Sequence, residues 1–332
     1  MLKYAIKRII MMIPSLLGIT LISFIVIHLA PGEPTDMITD LNPQASLTAK
    51  RRLNEIYGLD KPIHVQYWNW LKRLATLDLG RSMSPDRRPV RDKIAERLPV
   101  TLTLNLFSMV IIILVSVPLG LWAAVKAGGL FDRASTVVVF IFFAAPSFWL
   151  ALLGMWLFGV KLGWLPISGL TSLSHDNMSF FGKIFDLAKH LAMPIIISSL
   201  GGLAGLSRYL RSNMLEIMRQ DYLTTARAKG LPERIVIRKH ALRNALIPVI
   251  TILGLSVPGL VGGSVIMESI YAIPGLGQLF YSAVMGRDYP LVMGGLVIGA
   301  VLTLIGNLLA DLGYAWADPR VRDQTFMRSR PS

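Results

Sequence analysis

Residues 221–243 read DYLTTARAKGLPERIVIRKHALR, a strongly basic stretch set between long apolar runs. The pattern predicts two short helices with a break between them. Asp221 is placed to accept from backbone N–H groups of the following turn, Gly230 is the residue expected just past a helix end, and Pro232 suits the first position of a new helix. Small residues at Thr225, Ala226, Ala228 and Gly230 let another surface approach the backbone closely. The stretch reads as a docking element.

Working outward, the chain has 332 residues, of which 53% are hydrophobic and only 16% charged. Soluble domains are about one quarter charged, and several uncharged runs here exceed the ~20 residues that cross a bilayer as helix. This is an all-α integral membrane protein. The net charge of +14 has two readings, nucleic-acid binding or basic residues retained on the cytoplasmic side. No RNA or DNA motif accompanies the charge, so the expected surroundings are membrane lipid and not nucleic acid. The absence of cysteine excludes disulfides, thiolate metal sites and thiol catalysis.

Six spans are expected. Lys3, Lys7 and Arg8 precede an uncharged run from Ile9 to Ala30, too long for the ~7–15-residue apolar stretch of a signal peptide, so 1–30 is a cytoplasmic N-terminus and a retained first helix. Residues 31–97 form a polar external loop with two helical patterns. In the second, Pro62 starts a helix with Ile63, Tyr67, Leu71 and Leu74 at helical spacing, and Tyr67, Trp68 and Trp70 serve as interfacial anchors. The core follows from 98 to 332: spans at 98–125, 134–160, 190–207, 244–267 and 289–310, with the basic segment 208–243 between the fourth and fifth and a tail from Asp311. Pro118 and Pro146 inside spans demand partner helices, and Gly201, Gly202 and Gly205 suit close helix packing. The inner segments of this arrangement hold eighteen Lys and Arg against four in the two short outer loops, so both termini and the basic segment are cytoplasmic. The twelve basic residues of the long loop carry little weight, because loops above ~60 residues translocate largely regardless of charge.

No phosphate loop, HExxH or GxSxG occurs, and His28, His64, His175, His190 and His240 form no ligand-like cluster, which leaves no means of ATP hydrolysis and no catalytic constellation in this chain. His28, Glu268 and Asp311 lie at span ends where water solvates them; Asn105 and Asn307 are the polar candidates within spans, as pathway residues or as interhelical hydrogen bonders. An ion-gradient transporter or channel is the alternative function. It predicts mid-span charges and an internal repeat, and neither is evident.

The wording TTARAKGLPERIVIRKHALRNALIP resembles the signature loop of permease subunits of binding-protein-dependent ABC importers, in the dipeptide, oligopeptide and nickel branch. In that signature, EAA, three residues, Gly, nine residues and I-x-L-P, Gly230 matches the glycine, Ala226 the second alanine and Leu242 the leucine, while Thr224, Thr225, His240 and Arg243 depart. GLDKPIHVQYWNWL from Gly58, DLGRS from Asp78, ERLPVTLTL from Glu96, PSFWLALL from Pro146, GWLPISG from Gly163, YAIPGLGQLF from Tyr271, RDYPLV from Arg287 and DPRVR from Asp318 extend the resemblance over essentially the whole chain, to the permease type with a long external loop after helix one.

The resemblance implies a type I importer permease with six helices in the bacterial inner membrane that forms the translocation pathway for dipeptides and oligopeptides, in a branch also associated with nickel complexes and glutathione-like compounds. It implies as partners a second, paralogous permease, two ATPase subunits that bind ATP and Mg, and an external substrate-binding protein; no cofactor belongs to this chain. The segment 221–243 then contains the coupling helix, and Asp221, Thr224, Thr225, Ala226, Lys229, Gly230 and Leu231 are its expected ATPase-docking residues.

Overall fold

A computed structural model describes residues 2–29, 55, 58–260 and 262–317. The first helical pattern of the long loop, the side chain of Asp311 and the DPRVR tail lie outside the described residues. Among those described, regular structure is helical apart from one isolated bridge between Arg81 and Pro89. In chain order the helices are α1 (Leu2–Leu29), α2 (Ile63–Ala75), α3 (Val90–Val125), α4 (Leu130–Ala144), α5 (Ser147–Gly154) and α6 (Phe180–Ile217). Then come α7 (Asp221–Ala228), α8 (Glu233–Ile235), α9 (Leu242–Ser256), α10 (Val265–Ile270), α11 (Leu276–Met285) and α12 (Tyr289–Ala317). α5 continues into a π-helical stretch, Met155–Lys161, and a second π-helical stretch, Val236–Ala241, joins α8 to α9.

The centre of the bundle is the parallel pair α3 and α6. Lipid is as apolar as leucine, so such a pair is held by close packing and interhelical hydrogen bonds. Both are present. Ser108 Oγ donates to the Ile195 carbonyl at 3.2 Å and Ser116 Oγ to the Leu203 carbonyl at 3.3 Å, each across an offset of 87 residues. At the same offset a Cβ on Gly120 would lie 2.7 Å from the Ser207 carbonyl oxygen. Of the three glycines expected to pack, only Gly202 does, against Ile112; Gly201 and Gly205 face open space.

Two expected spans are broken. The run 134–160 is divided into α4 and α5 with its π-helical extension, bent by 98°. Ala145 is extended (ψ 131°) because the residue before proline is pushed out of the helical region, and Pro146 then caps α5. The run 244–267 ends as α-helix at Ser256, tightens into a 3-10 turn over Val257–Leu260, and restarts as α10 beyond Gly262 and Gly263. Four described helices are therefore long and apolar enough to cross a membrane, or five with the bent pair counted as one span, where the sequence predicts six. The remaining spans run longer than expected: α3 starts at Val90 and α6 covers Phe180–Ile217.

Glu268, expected at a wet span end, is 1% exposed. Its Oε1 accepts from Thr101 Oγ1 at 3.1 Å and its Oε2 from the Gln278 amide at 2.8 Å, in the first turn of α11. Thr101 Oγ1 in turn accepts from the Leu276 amide at 2.8 Å. A Cβ on Gly275 would collide with the Glu268 carboxyl, and one on Gly277 would lie 2.7 Å from the Val265 nitrogen. The YAIPGLGQLF stretch is thus a knot tied around one buried carboxyl group and fastened to α3.

At the far end of α1, Thr20 and His28 bond Tyr67 and Gln66 of α2, each at 3.2 Å. Trp68 is exposed, as an interfacial anchor should be, but Trp70 is buried against Phe24, Met293 and Val297. Trp70 therefore belongs to the core, because α2 covers α1 and α12 with one face. The indole fills the space between them.

Replacing Gly120 with Val forces α3 from α6 and should lower the melting temperature of the detergent-solubilised chain, by the equivalent of about 1–3 kcal/mol. Gly201→Ala, on the open face, should leave it unchanged. Glu268→Ala strands the Gln278 amide and the Thr101 hydroxyl and should cost about 1–3 kcal/mol in the same assay.

Candidate functional site

The basic segment folds as a helix, a turn and a second helix. Gln220, extended at φ −72° and ψ 142°, precedes α7 and makes no side-chain cap. Asp221 is the first helical residue; it lends the helix a favourable negative charge at its positive end without the expected capping bond. The other end closes as anticipated. Gly230 has φ +78°, its amide donates to the Arg227 carbonyl at 2.9 Å, and the Leu231 amide donates to the Ala226 carbonyl at 3.4 Å. Those two bonds satisfy orphan carbonyls and turn the chain sharply. Pro232 caps α8 one position earlier than predicted, leaving Glu233 as the first helical residue.

An ion pair sets the angle between the two helices. Arg227 Nε and Nη2 donate to Glu233 Oε2 and Oε1 at 3.1 and 3.0 Å. The Arg227 guanidinium holds the Glu233 carboxyl below the usual carboxylate range. Both side chains are substantially exposed, at 35% and 52%, so the pair adds at most about 1 kcal/mol of stability. Its bidentate geometry fixes orientation.

Beneath the element lies its own core. Leu223, Val236 and Ala241 are fully buried against Leu210 and Met214 of α6 and Ala245 of α9. Ala226 joins them, facing inward, whereas Asp221, Thr224, Thr225, Lys229, Gly230 and Leu231 are exposed on the outer face. Two asparagines hold the assembly together: Asn213 Nδ2 of α6 donates to the Ala245 carbonyl of α9 at 3.0 Å, and Asn244 Nδ2 of α9 donates to Tyr222 Oη of the element at 2.9 Å. Behind it, Arg211 of α6 grips Asp132 of α4 with two bonds of 2.5 and 2.7 Å, and Asp132 is 4% exposed. The sequence around Asp132, Arg211 and Tyr222 does not reveal these pairings. A partner 79 residues away leaves no local signal.

The second feature is a cavity of about 480 Å³ between α3, α6 and α9. Asn105, Ser108, Ser198, Tyr209 and Ser256 supply its polar groups, and no Lys, Arg, Asp or Glu lines it. Asn105 thus borders this surface-open cleft, while Asn307 sits exposed on α12 and does not line it. His175 and His190 both meet Asp186, through its carboxylate at 2.7 Å and its backbone carbonyl at 2.8 Å, as local polar contacts.

Residues 116–323 match the family described as binding-protein-dependent transport system inner membrane component, and residues 1–105 match the N-terminal region of such membrane components. The chain is 44% identical to the oligopeptide transport system permease protein AppB of Bacillus subtilis, over 97% of this chain and 99% of that one. It is 38% identical to the dipeptide transport system permease protein DppB of Alkalihalophilus pseudofirmus (97% and 100% covered) and 38% identical to the di/tripeptide transport system permease protein DppB of Pseudomonas aeruginosa (98% and 100% covered). With the family model spanning residues 116–323 and these relatives matched over 99–100% of their length at 38–44% identity, the chain belongs to the binding-protein-dependent transport system inner membrane component family.

Proposed function

We propose that this chain forms one side of the pathway of an ATP-driven importer of dipeptides and oligopeptides. A second, related permease completes the pathway, two ATPase subunits that bind ATP and Mg dock at the basic end, and an external binding protein delivers substrate. Both termini and the basic element face the cytoplasm in this reading. The observation that carries it is the construction of 221–243: an outer face of small and polar residues is exposed while the inner face is locked into a core shared with α6 and α9. A push on such an element moves both helices instead of deforming a loop. The outer face, Asp221, Thr224, Thr225, Lys229, Gly230 and Leu231, is the ATPase contact, and Ala226 supports it from below.

The uncharged cavity fits the substrate class. Peptides of varied sequence share a backbone and little else, and a largely apolar wall that carries a few hydroxyls, one amide and glycine backbone favours no side-chain charge. The lack of a phosphate loop assigns hydrolysis to the partners. Purification of the chain in mild detergent from its host should bring down two ATPase chains and a related permease; a lone chain with ion-coupled transport would refute the reading.

Gly230→Val places a β-branched residue at φ +78°, where about 1–3 kcal/mol of backbone strain opens the turn. Peptide uptake by proteoliposomes holding the full complex should fall on the order of tenfold, with ATP hydrolysis persisting and the chain still in the membrane. Unchanged uptake would remove the turn from the coupling path. For the ion pair, Arg227→Glu and Glu233→Arg should each reduce uptake, and the double exchange should restore most of it, since the pair acts by geometry. Failure of the exchange to rescue would mean that one of the charges acts on the ATPase directly.

A further inference from the structure

We propose that Asn105 is a latch on a hinge in the helix that carries the docking element, and that its two hydrogen bonds must break for the pathway to change state. The proposal rests on the importer reading above. α9 leaves the basic element and loses its helical ladder beyond Ser256, leaving carbonyls near its end with no helical partner. Asn105 Nδ2 supplies both of its hydrogens there, to the Leu260 carbonyl at 2.7 Å and the Gly262 carbonyl at 3.0 Å. One amide therefore spans the break.

The two sides of the break are held very differently. A Cβ on Gly259 would meet nothing within 4 Å, so packing does not restrain the chain at that point. On the far side, a Cβ on Gly263 would lie 2.7 Å from the Gly277 Cα, and the knot around Glu268 follows at once. α3 grips both sides: Thr101 fastens the knot through Glu268, and Asn105, one helical turn later, holds the hinge. A swing of α9 relative to the knot changes the Leu260–Gly262 geometry, and a single amide cannot follow both carbonyls.

The cavity gives the latch a means of release. In a dry bundle the freed carbonyls would have no donor. Asn105 borders the cavity of about 480 Å³, and Leu260 lines it too. Water entering there supplies replacement donors. The latch is formed beside a cleft that solvent reaches, so water takes over the carbonyls it releases, and Asn105 is a positioning residue that acts through α9.

The chain contains no cysteine, so nitroxides at Ser198→Cys and Ser256→Cys, both exposed on the cavity rim, report its width in the complex once the partner chains are cysteine-free. In nanodiscs without nucleotide, Asn105→Ala and Asn105→Asp should each raise the population of the ATP-trapped distance relative to the resting one by about 5–30-fold, the effect of losing two ordinary hydrogen bonds. ATP hydrolysis without binding protein should rise in the same variants while the stimulation by peptide-loaded binding protein falls. A nucleotide-free distance distribution identical to wild type in both variants overturns the latch, as does failure of both to assemble, which would make Asn105 a folding residue. A wild-type complex that shows neither peptide-stimulated hydrolysis nor a distance change on ATP trapping overturns the importer reading instead.

Discussion

The parallel contact of α3 with α6 is the constraint on which the rest of the bundle depends. It is made by an absence of side chain at Gly120 and Gly202 and by two serine hydroxyls that bond across the gap at one constant register. In lipid there is no hydrophobic gain from bringing two apolar helices together, so close approach and satisfied polar groups decide which helices pair. Once α3 is fixed by this contact, its remaining polar residues on nearby turns, Thr101 and Asn105, reach the broken region after α9. They organise the knot and the hinge.

The broken helices follow from the same accounting. Every backbone N–H and C=O removed from water needs a partner inside the protein, so a break is tolerated only where side chains or neighbouring backbone replace the ladder. At Gly259–Gly263 the replacement is Asn105, on the Leu260 and Gly262 carbonyls; further on, Thr101 and the carboxyl group of Glu268 take the Leu276 and Gln278 backbone amides that open α11. At the basic end the ladder is closed by the Gly230 turn, and the core of Leu210, Met214, Leu223 and Val236 makes the short helices an extension of α6 and α9. The two regions lie at opposite ends of one helix, α9. A displacement of the basic element therefore arrives at the glycine break, which is where the polypeptide has freedom to absorb it.

Much of this was legible beforehand. Hydropathy located the spans because a bilayer core admits only long apolar stretches, and Gly230-Leu231-Pro232 announced a turn because each residue has a narrow conformational use. Less legible were the pairings. Trp70 reads as an interfacial anchor until α2 is seen lying across α1, and Glu268 reads as a solvated end until its amide partners, ten residues further along the chain, fold back onto it. Ala226 matches the docking signature yet faces its own core, since helical periodicity gives a face without saying which way that face is turned.

Composition, apolar run length and turn chemistry act over a few neighbouring residues, so the sequence was enough for an all-helical membrane protein and its basic helix–turn–helix, while the family of transport components was legible only from the resemblance of its motifs. Tertiary structure alone decided that Asp132 pairs with Arg211, that Glu268 is buried in a knot, and that Asn105 spans a broken helix instead of lining a span as one polar residue among several. Those partners lie 79, 10 and more than 150 residues apart in the chain, and the packing of α4 on α6 and of α3 on the 3-10 turn after α9 brings the more distant ones within hydrogen-bond reach.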